Sequence, residues 1–252
     1  MFLDRIEIEK KALEIRKSQG IDGYGVPDIF SLIQALGYYW VRYPFGQKTL
    51  CGCAYLYQGE RVIVTNSSEI LAREFFTAAH ELGHAIYDLS YSGTSLLVDA
   101  TLNDEETRNE LEQRANQFAA ELLLPRLKMD QFLRQVLQKK GKDLNAYDIV
   151  RIQVEFKVSY EAALNRLHSL LHISEEQREK LKKVRDMSSS RELFRAMGAD
   201  DSLLDPWNQI SVSPHFLQWV NDNYQAGLIP YESLKRAYTL IGAESSLPSN
   251  EC

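Results

Sequence analysis

The hydrophobic pattern of this chain changes period once, and that change limits the fold. Between residues 38 and 65 the apolar residues come in three short runs: 38–43 (Tyr-Tyr-Trp-Val-Arg-Tyr), 51–57 (Cys-Gly-Cys-Ala-Tyr-Leu-Tyr) and 61–65 (Arg-Val-Ile-Val-Thr). Aromatic and β-branched residues in short runs, the last two parted by Gln58-Gly59-Glu60, favour strands, and a small antiparallel sheet is expected. From Ser68 the spacing becomes helical, with helices expected over 69–90, 104–123, 127–139, 146–156, 160–172 and 174–185. Asn103 or Asp104 is placed to cap the second of these and Pro125 to stop it. Residues 4–18, and Pro27 to about Leu36, read as two earlier helices. The stretch 188–213 is less periodic, and helices near 214–224 and 230–240 precede a Ser/Pro/Asn tail. The fold class is therefore α+β, mainly helical with a small antiparallel sheet.

Length and charge exclude several functions. A chain of 252 residues can bury a sizeable core, and 44% hydrophobic with 25% charged residues is an ordinary globular composition. The net charge of −6 gives no overall attraction to phosphate backbones or anionic membranes. No apolar run approaches the length of a membrane span, and the charged segment around Asp4, Arg5, Glu7 and Lys10 lacks the apolar stretch of a secretory signal. Three cysteines make no disulfide framework, so a reducing cytoplasm is expected.

His80-Glu81-Leu82-Gly83-His84 places two imidazoles one helical turn apart, able to share a metal. Five residues recur by chance, so the surrounding pattern matters. On a helical wheel Leu71, Phe75, Ala78, Ala79, Leu82, Ile86 and Leu89 gather on one side, while His80 and His84 fall on another with Glu81 at its margin. Two histidines leave a zinc under-ligated, and a second helix should supply the third ligand. Between Leu111 and Pro125, Glu112, Asn116, Ala119 and Leu123 share one face beside the apolar stripe Leu111, Ala115, Phe118 and Leu122. The wheel leaves Glu112 open between a ligand and a solvated carboxylate; Glu105, Glu106, Glu110 and Glu121 read as solvated. Asn116 and Asp88 are each placed to accept the free N–H of a ligating imidazole.

The stretches around both helices resemble the ImmA/IrrE metallopeptidases, bacterial and phage-borne regulators with gluzincin-type sites. Residues 76–84 (Phe-Thr-Ala-Ala-His-Glu-Leu-Gly-His) resemble that family's F-T-x-A-H-E-L-G-H signature, and residues 112–125, from Glu112-Gln113-Arg114-Ala115-Asn116 to Pro125, its E-x-x-A-N-x-F-A-A-x-L-L-x-P signature. The resemblance covers residues 22 to about 172 and the rest loosely. It implies one zinc ion per chain held by His80, His84 and Glu112, with Glu81 as the catalytic glutamate. Together with the helical patterning of the later residues, it leads us to expect a zincin-like domain over 1–140, a helical, helix-turn-helix-like part over 141–185, and a mainly helical region of unknown role over 186–252. It further implies cleavage of an XRE-type helix-turn-helix repressor that silences stress, phage or mobile-element genes. The chain departs from many relatives in carrying Asp88 where they have another histidine.

Glu81 would serve as general base toward water, a role that needs a carboxylate beside the metal and off it. The rival from another class is a binding protein that holds a DNA-binding partner without turnover, and such a module needs no general base. Direct nucleic-acid binding by residues 146–172 is not expected, because Arg151, Lys157 and Arg166 are interleaved with Asp148, Glu155 and Glu161. Cys51 and Cys53 read as buried strand residues. His168 and His172 lack the glutamate that completes the motif and read as packing or surface groups, and His215 stands alone. An extended peptide is expected to add to the sheet that precedes the active-site helix, at the 61–65 strand.

Overall fold

The computed structural model describes residues 5–57, 59–89, 96–99, 110–187 and 189–248. Helix α1 (Arg5–Ser18) is followed by α2 (Ile29–Ala35), which begins two residues after Pro27 because Asp28 caps it, accepting from the Phe30 N–H at 3.0 Å. Strands β1 (Tyr39–Tyr43), β2 (Gly52–Tyr57) and β3 (Glu60–Asn66) fall on the three predicted runs. With β4 (Leu96–Asp99), which the sequence pattern did not announce, and β5 (Ser211–Val212), they form a five-stranded sheet in the order β4-β2-β3-β1-β5.

The sheet is mixed rather than antiparallel. β2 pairs antiparallel with β3 and β4, and β1 with β5, but β1 and β3 run parallel from Tyr39↔Val62 to Tyr43↔Asn66. The cause is the loop 44–51, which reverses the chain but leaves β2 one strand away from β1. β3 then returns through the gap in the direction of β1. Asn66 holds that loop: its Nδ2 donates to the Gly46 and Leu50 carbonyls at 2.8 and 2.9 Å, and its Oδ1 accepts from the Phe45 N–H at 3.1 Å. β3, the third strand of five, is paired on both sides and offers no edge to a peptide. The edges fall to β4 and β5.

Helix α3 (Leu71–Tyr87) lies against the sheet, and every residue from Ala72 to Ala85 except Arg73 and Phe76 is buried. The wheel correctly places Phe75, Ala78, Ala79 and Leu82 in the core, but the opposite face is enclosed as well. At its first turn Glu74 accepts from Arg42 of β1 at 2.9 and 2.6 Å and from the Thr65 hydroxyl at 2.8 Å. The Arg42 guanidinium lies between the Phe30 and Trp207 rings, 4.4 and 5.0 Å from their centroids. The segment before β5 is stitched to the same corner, through Leu71 N–H to Asp205 O at 3.0 Å and Asn208 N–H to Ser67 O at 2.7 Å.

Helix α4 (Glu110–Leu123) packs on α3 and on α1, and its predicted cap residues lie outside the described residues. α5 (Arg126–Gln131) runs into a π-helical stretch, Phe132–Leu137. Then come α6 (Ala146–Phe156), α7 (Tyr160–Ser169), α8 (Glu175–Met187), α9 (Ser190–Ala196), α10 (His215–Gln225) and α11 (Tyr231–Leu240). α7 stops short of residue 172 because Leu171 takes a left-handed φ of 62°. That parts the two histidines: His168 meets Glu175 at 3.2 Å and His172 meets Asp130 at 2.8 Å.

Glu121 is not a solvated carboxylate. It is 4% exposed and forms a two-pronged pair with Arg166 of α7, itself 3% exposed, whose Nε also donates to the Leu124 carbonyl at 2.8 Å. Arg166 is thereby spent on packing α7 against α4, which removes it from any nucleic-acid surface. Arg166→Met should leave Glu121 as an uncompensated buried charge and lower unfolding stability by about 3–5 kcal/mol. Pairing it with Glu121→Leu should recover most of that loss, as urea denaturation of the two variants would report.

Candidate metal centre

Two close approaches bring the site together. At Gly83 a Cβ atom would sit 3.1 Å from Ala115 Cα and 3.2 Å from Phe118 Cδ1, so the α3 and α4 backbones approach more closely there than a side chain fits without a shift of a few tenths of an ångström. At Gly52 a Cβ would sit 2.6 Å from Thr77 Cγ2 and 3.1 Å from Glu81 Cγ, so β2 lies directly over the glutamate. The first contact carries the start of α4 over the histidines, and the second closes a wall beside Glu81.

His80, His84 and Glu112 are the group of His, Cys, Asp and Glu side chains that could hold a metal among the described residues. The two Nε2 atoms lie 3.0 Å apart, His80 Nε2 lies 3.1 Å from Glu112 Oε2, and His84 Nε2 lies 3.3 Å from Glu112 Oε1. A tetrahedral ion with arms of about 2.0–2.1 Å requires donor separations of about 3.3–3.4 Å. The trio thus needs only a few tenths of an ångström of opening.

The outer nitrogens are also committed. His80 Nδ1 donates to Asn116 Oδ1 at 3.0 Å and His84 Nδ1 to Asp88 Oδ2 at 2.6 Å. With the proton on each Nδ1, the Nε2 lone pairs point at one another, an arrangement that a shared cation turns from repulsive to bonding. The donor set of two imidazoles and a carboxylate suits a divalent transition metal. Where the facing Nε2 atoms instead carry protons, donation from His80 and then His84 holds the Glu112 carboxyl well below the usual carboxylate range, so the carboxylate is ionised before a metal displaces those protons. The Glu112 side chain remains 24% exposed while the imidazoles are buried, so the centre opens to solvent on the α4 side.

All six residues singled out from the sequence are thus placed at one locus: the trio, Asn116 and Asp88 behind its rings, and Glu81 buried beneath β2. Sequence reasoning missed Arg114, whose Nη2 meets Asp88 Oδ1 and so extends the His84 contact back to α4. A single-helix wheel carries no signal for a partner on another helix. It also missed the setting of Cys53. Burial, and secondarily the Glu81 carboxylate, pushes that thiol up to about 11.

Two outcomes follow from this geometry. Glu112→Gln keeps the shape but removes the charge, and zinc affinity measured against a competing chelator should fall by more than the roughly 10–100-fold typical of losing an outer partner. Near-stoichiometric zinc in that variant would remove Glu112 from the ligand set. Cys53, protonated at pH 8 because its pKa lies well above, should resist iodoacetamide in the native protein and react only on unfolding.

Residues 33–168 match the family described as Peptidase M78, IrrE N-terminal-like domain. No curated protein matches the chain. The matched stretch takes in more than half of the sequence, from α2 to α7, and contains every donor of the centre. The chain therefore belongs to the Peptidase M78 family of zinc metallopeptidases, with an IrrE N-terminal-like domain.

Proposed function

We propose that the chain is a zinc endopeptidase that acts in the cytoplasm, with His80, His84 and Glu112 as ligands of one zinc ion and Glu81 as general base. The observation that carries this reading is a buried glutamate adjoining a three-donor centre on the same helix turn but outside the donor group. When bound there, zinc would acidify water and polarise the scissile carbonyl.

The remaining work falls to the chain's own groups. Glu81 takes a proton from the attacking water and returns it to the departing amine nitrogen, and the wall made by β2 at Gly52 keeps its side chain in place. Asn116 and Asp88 hold the imidazoles in the tautomer that presents Nε2. An extended substrate has two places to lie. It can add a strand to the edge at β4, or fill the cavity of about 770 Å³ that Phe76, Asn116, Gln117 and Gln153 help to line. Because Asn116 both lines that cavity and holds His80, the cavity adjoins the centre.

The substrate we propose is an XRE-type helix-turn-helix repressor, cut to release the stress, phage or mobile-element genes it silences. Support for it is the family resemblance of both signatures. Among the described residues no helix is long and apolar enough to cross a membrane. Of the three cations weighed for DNA contact, Arg166 is buried, Lys157 reaches the Pro27 carbonyl, and Arg151 alone is exposed.

Glu81→Gln separates catalysis from holding. With zinc content equal to the parent, the variant should cut an XRE-type helix-turn-helix repressor that the parent cleaves at least about 100-fold more slowly, as mass spectrometry of the products would show. Equal gene derepression in cells by the Gln variant would favour a non-catalytic binding protein instead.

A further inference from the structure

Asp88 ends α3 in a setting that its hydrogen bond to His84 does not by itself explain. It is 2% exposed, and its two oxygens are divided between two partners: Oδ2 accepts from His84 Nδ1, while Oδ1 meets Arg114 Nη2. Asp88 sits on the C-cap of α3, its own N–H donating to the His84 carbonyl at 2.8 Å, where the helix dipole disfavours a negative charge. A buried carboxylate at that position needs a cation. Arg114 is that cation, and it is itself braced, its guanidinium lying 5.6 Å from the Tyr87 ring centroid.

Arg114 stands on the same helix as Glu112 and Asn116. The α3–α4 contact thus brings three groups from α4 to the two histidines: a ligand, a partner for His80 Nδ1, and a partner for the carboxylate behind His84. We infer that Arg114 is a positioning residue that sets metal affinity, holding Asp88 in the rotamer that orients the His84 ring. Its guanidinium occupies the oxygen that faces away from the imidazole. Without it Asp88 loses a charged contact that fixes its carboxylate, and His84 has a less firmly held Nδ1 partner to keep Nε2 toward Glu112. The inference rests on reading the trio as a zinc site, so the test begins with zinc binding by the unmodified chain.

Zinc affinity is measured against a competing chelator for the parent, Arg114→Gln, Arg114→Lys, Asp88→Asn and the Arg114→Gln/Asp88→Asn pair. Asp88→Asn and Arg114→Gln should each weaken zinc by about 10–100-fold, with Lys recovering part of the loss. The double variant should be no weaker than Asp88→Asn alone, because Arg114 acts through that carboxylate. The cobalt-loaded protein supplies a second readout: its visible bands should shift alike in Arg114→Gln and Asp88→Asn. Unchanged affinity and bands in Arg114→Gln, or full additivity in the pair, would overturn the role even if melting temperatures fell. A parent chain that binds no zinc would overturn the zinc reading and this inference with it.

Discussion

The site depends first on how closely α4 approaches α3. At Gly83 the α4 backbone comes so close that a Cβ would sit 3.1 Å from Ala115 Cα, with Phe118 beside it. Ala115 lies three residues after Glu112 and one before Asn116, so the residues flanking the contact point are the ones that reach the histidines. A side chain at 83 would press on the α4 backbone and need it to give by a few tenths of an ångström, a shift shared by all the α4 groups. The glycine in the His-Glu-Leu-Gly-His stretch thus serves the candidate centre by close approach, although it offers no donor.

Three buried ion pairs among the described residues join elements that are distant in sequence. Arg42 with Glu74 and Thr65 locks β1 and β3 to the first turn of α3. Arg166 with Glu121 locks α7 to the end of α4, and Arg114 with Asp88 locks α4 to the end of α3. Such buried pairs add little net stability over well-packed apolar groups, since desolvation offsets most of the attraction. Their effect is directional. A carboxylate that must meet a two-pronged guanidinium tolerates few helix rotations, so the pairs select one arrangement among the many that apolar packing alone would allow.

What the sequence made legible divides along the range of the interaction. Local periodicity placed the described α-helices except α9, which lies in the stretch read as less periodic, and three strands, and the helical wheel put Glu112 and Asn116 on one face of α4, because both depend on neighbours within a few turns. Long-range facts were lost. Glu121 read as solvated because Arg166, 45 positions away, is invisible to a wheel. The parallel pairing of β1 and β3 was lost for the same reason, as register and strand order are set by a loop held by Asn66 rather than by strand composition. The wheel of α3 also divided the helix into a packed face and an open one. Among the described residues that polar face is covered too, by α4 and β2, and it opens at the edge where Glu112 lies.

Enclosing that polar face has an electrostatic consequence. Taken as ionised, Glu81, Asp88 and Glu112 bring three negative charges to the neighbourhood of two neutral imidazoles, and Arg114 answers one of them. The Glu112 carboxylate is left facing the two Nε2 atoms. A dication at the Nε2 and Glu112 oxygens would meet that charge, which makes the fit of the trio one of charge as well as of distance. An ion bound there would favour the folded arrangement, because the unfolded chain holds these donors apart, and its binding energy would add to the stability of the α3–α4 contact. The contact that assembles the donors would then be strengthened by what the donors hold.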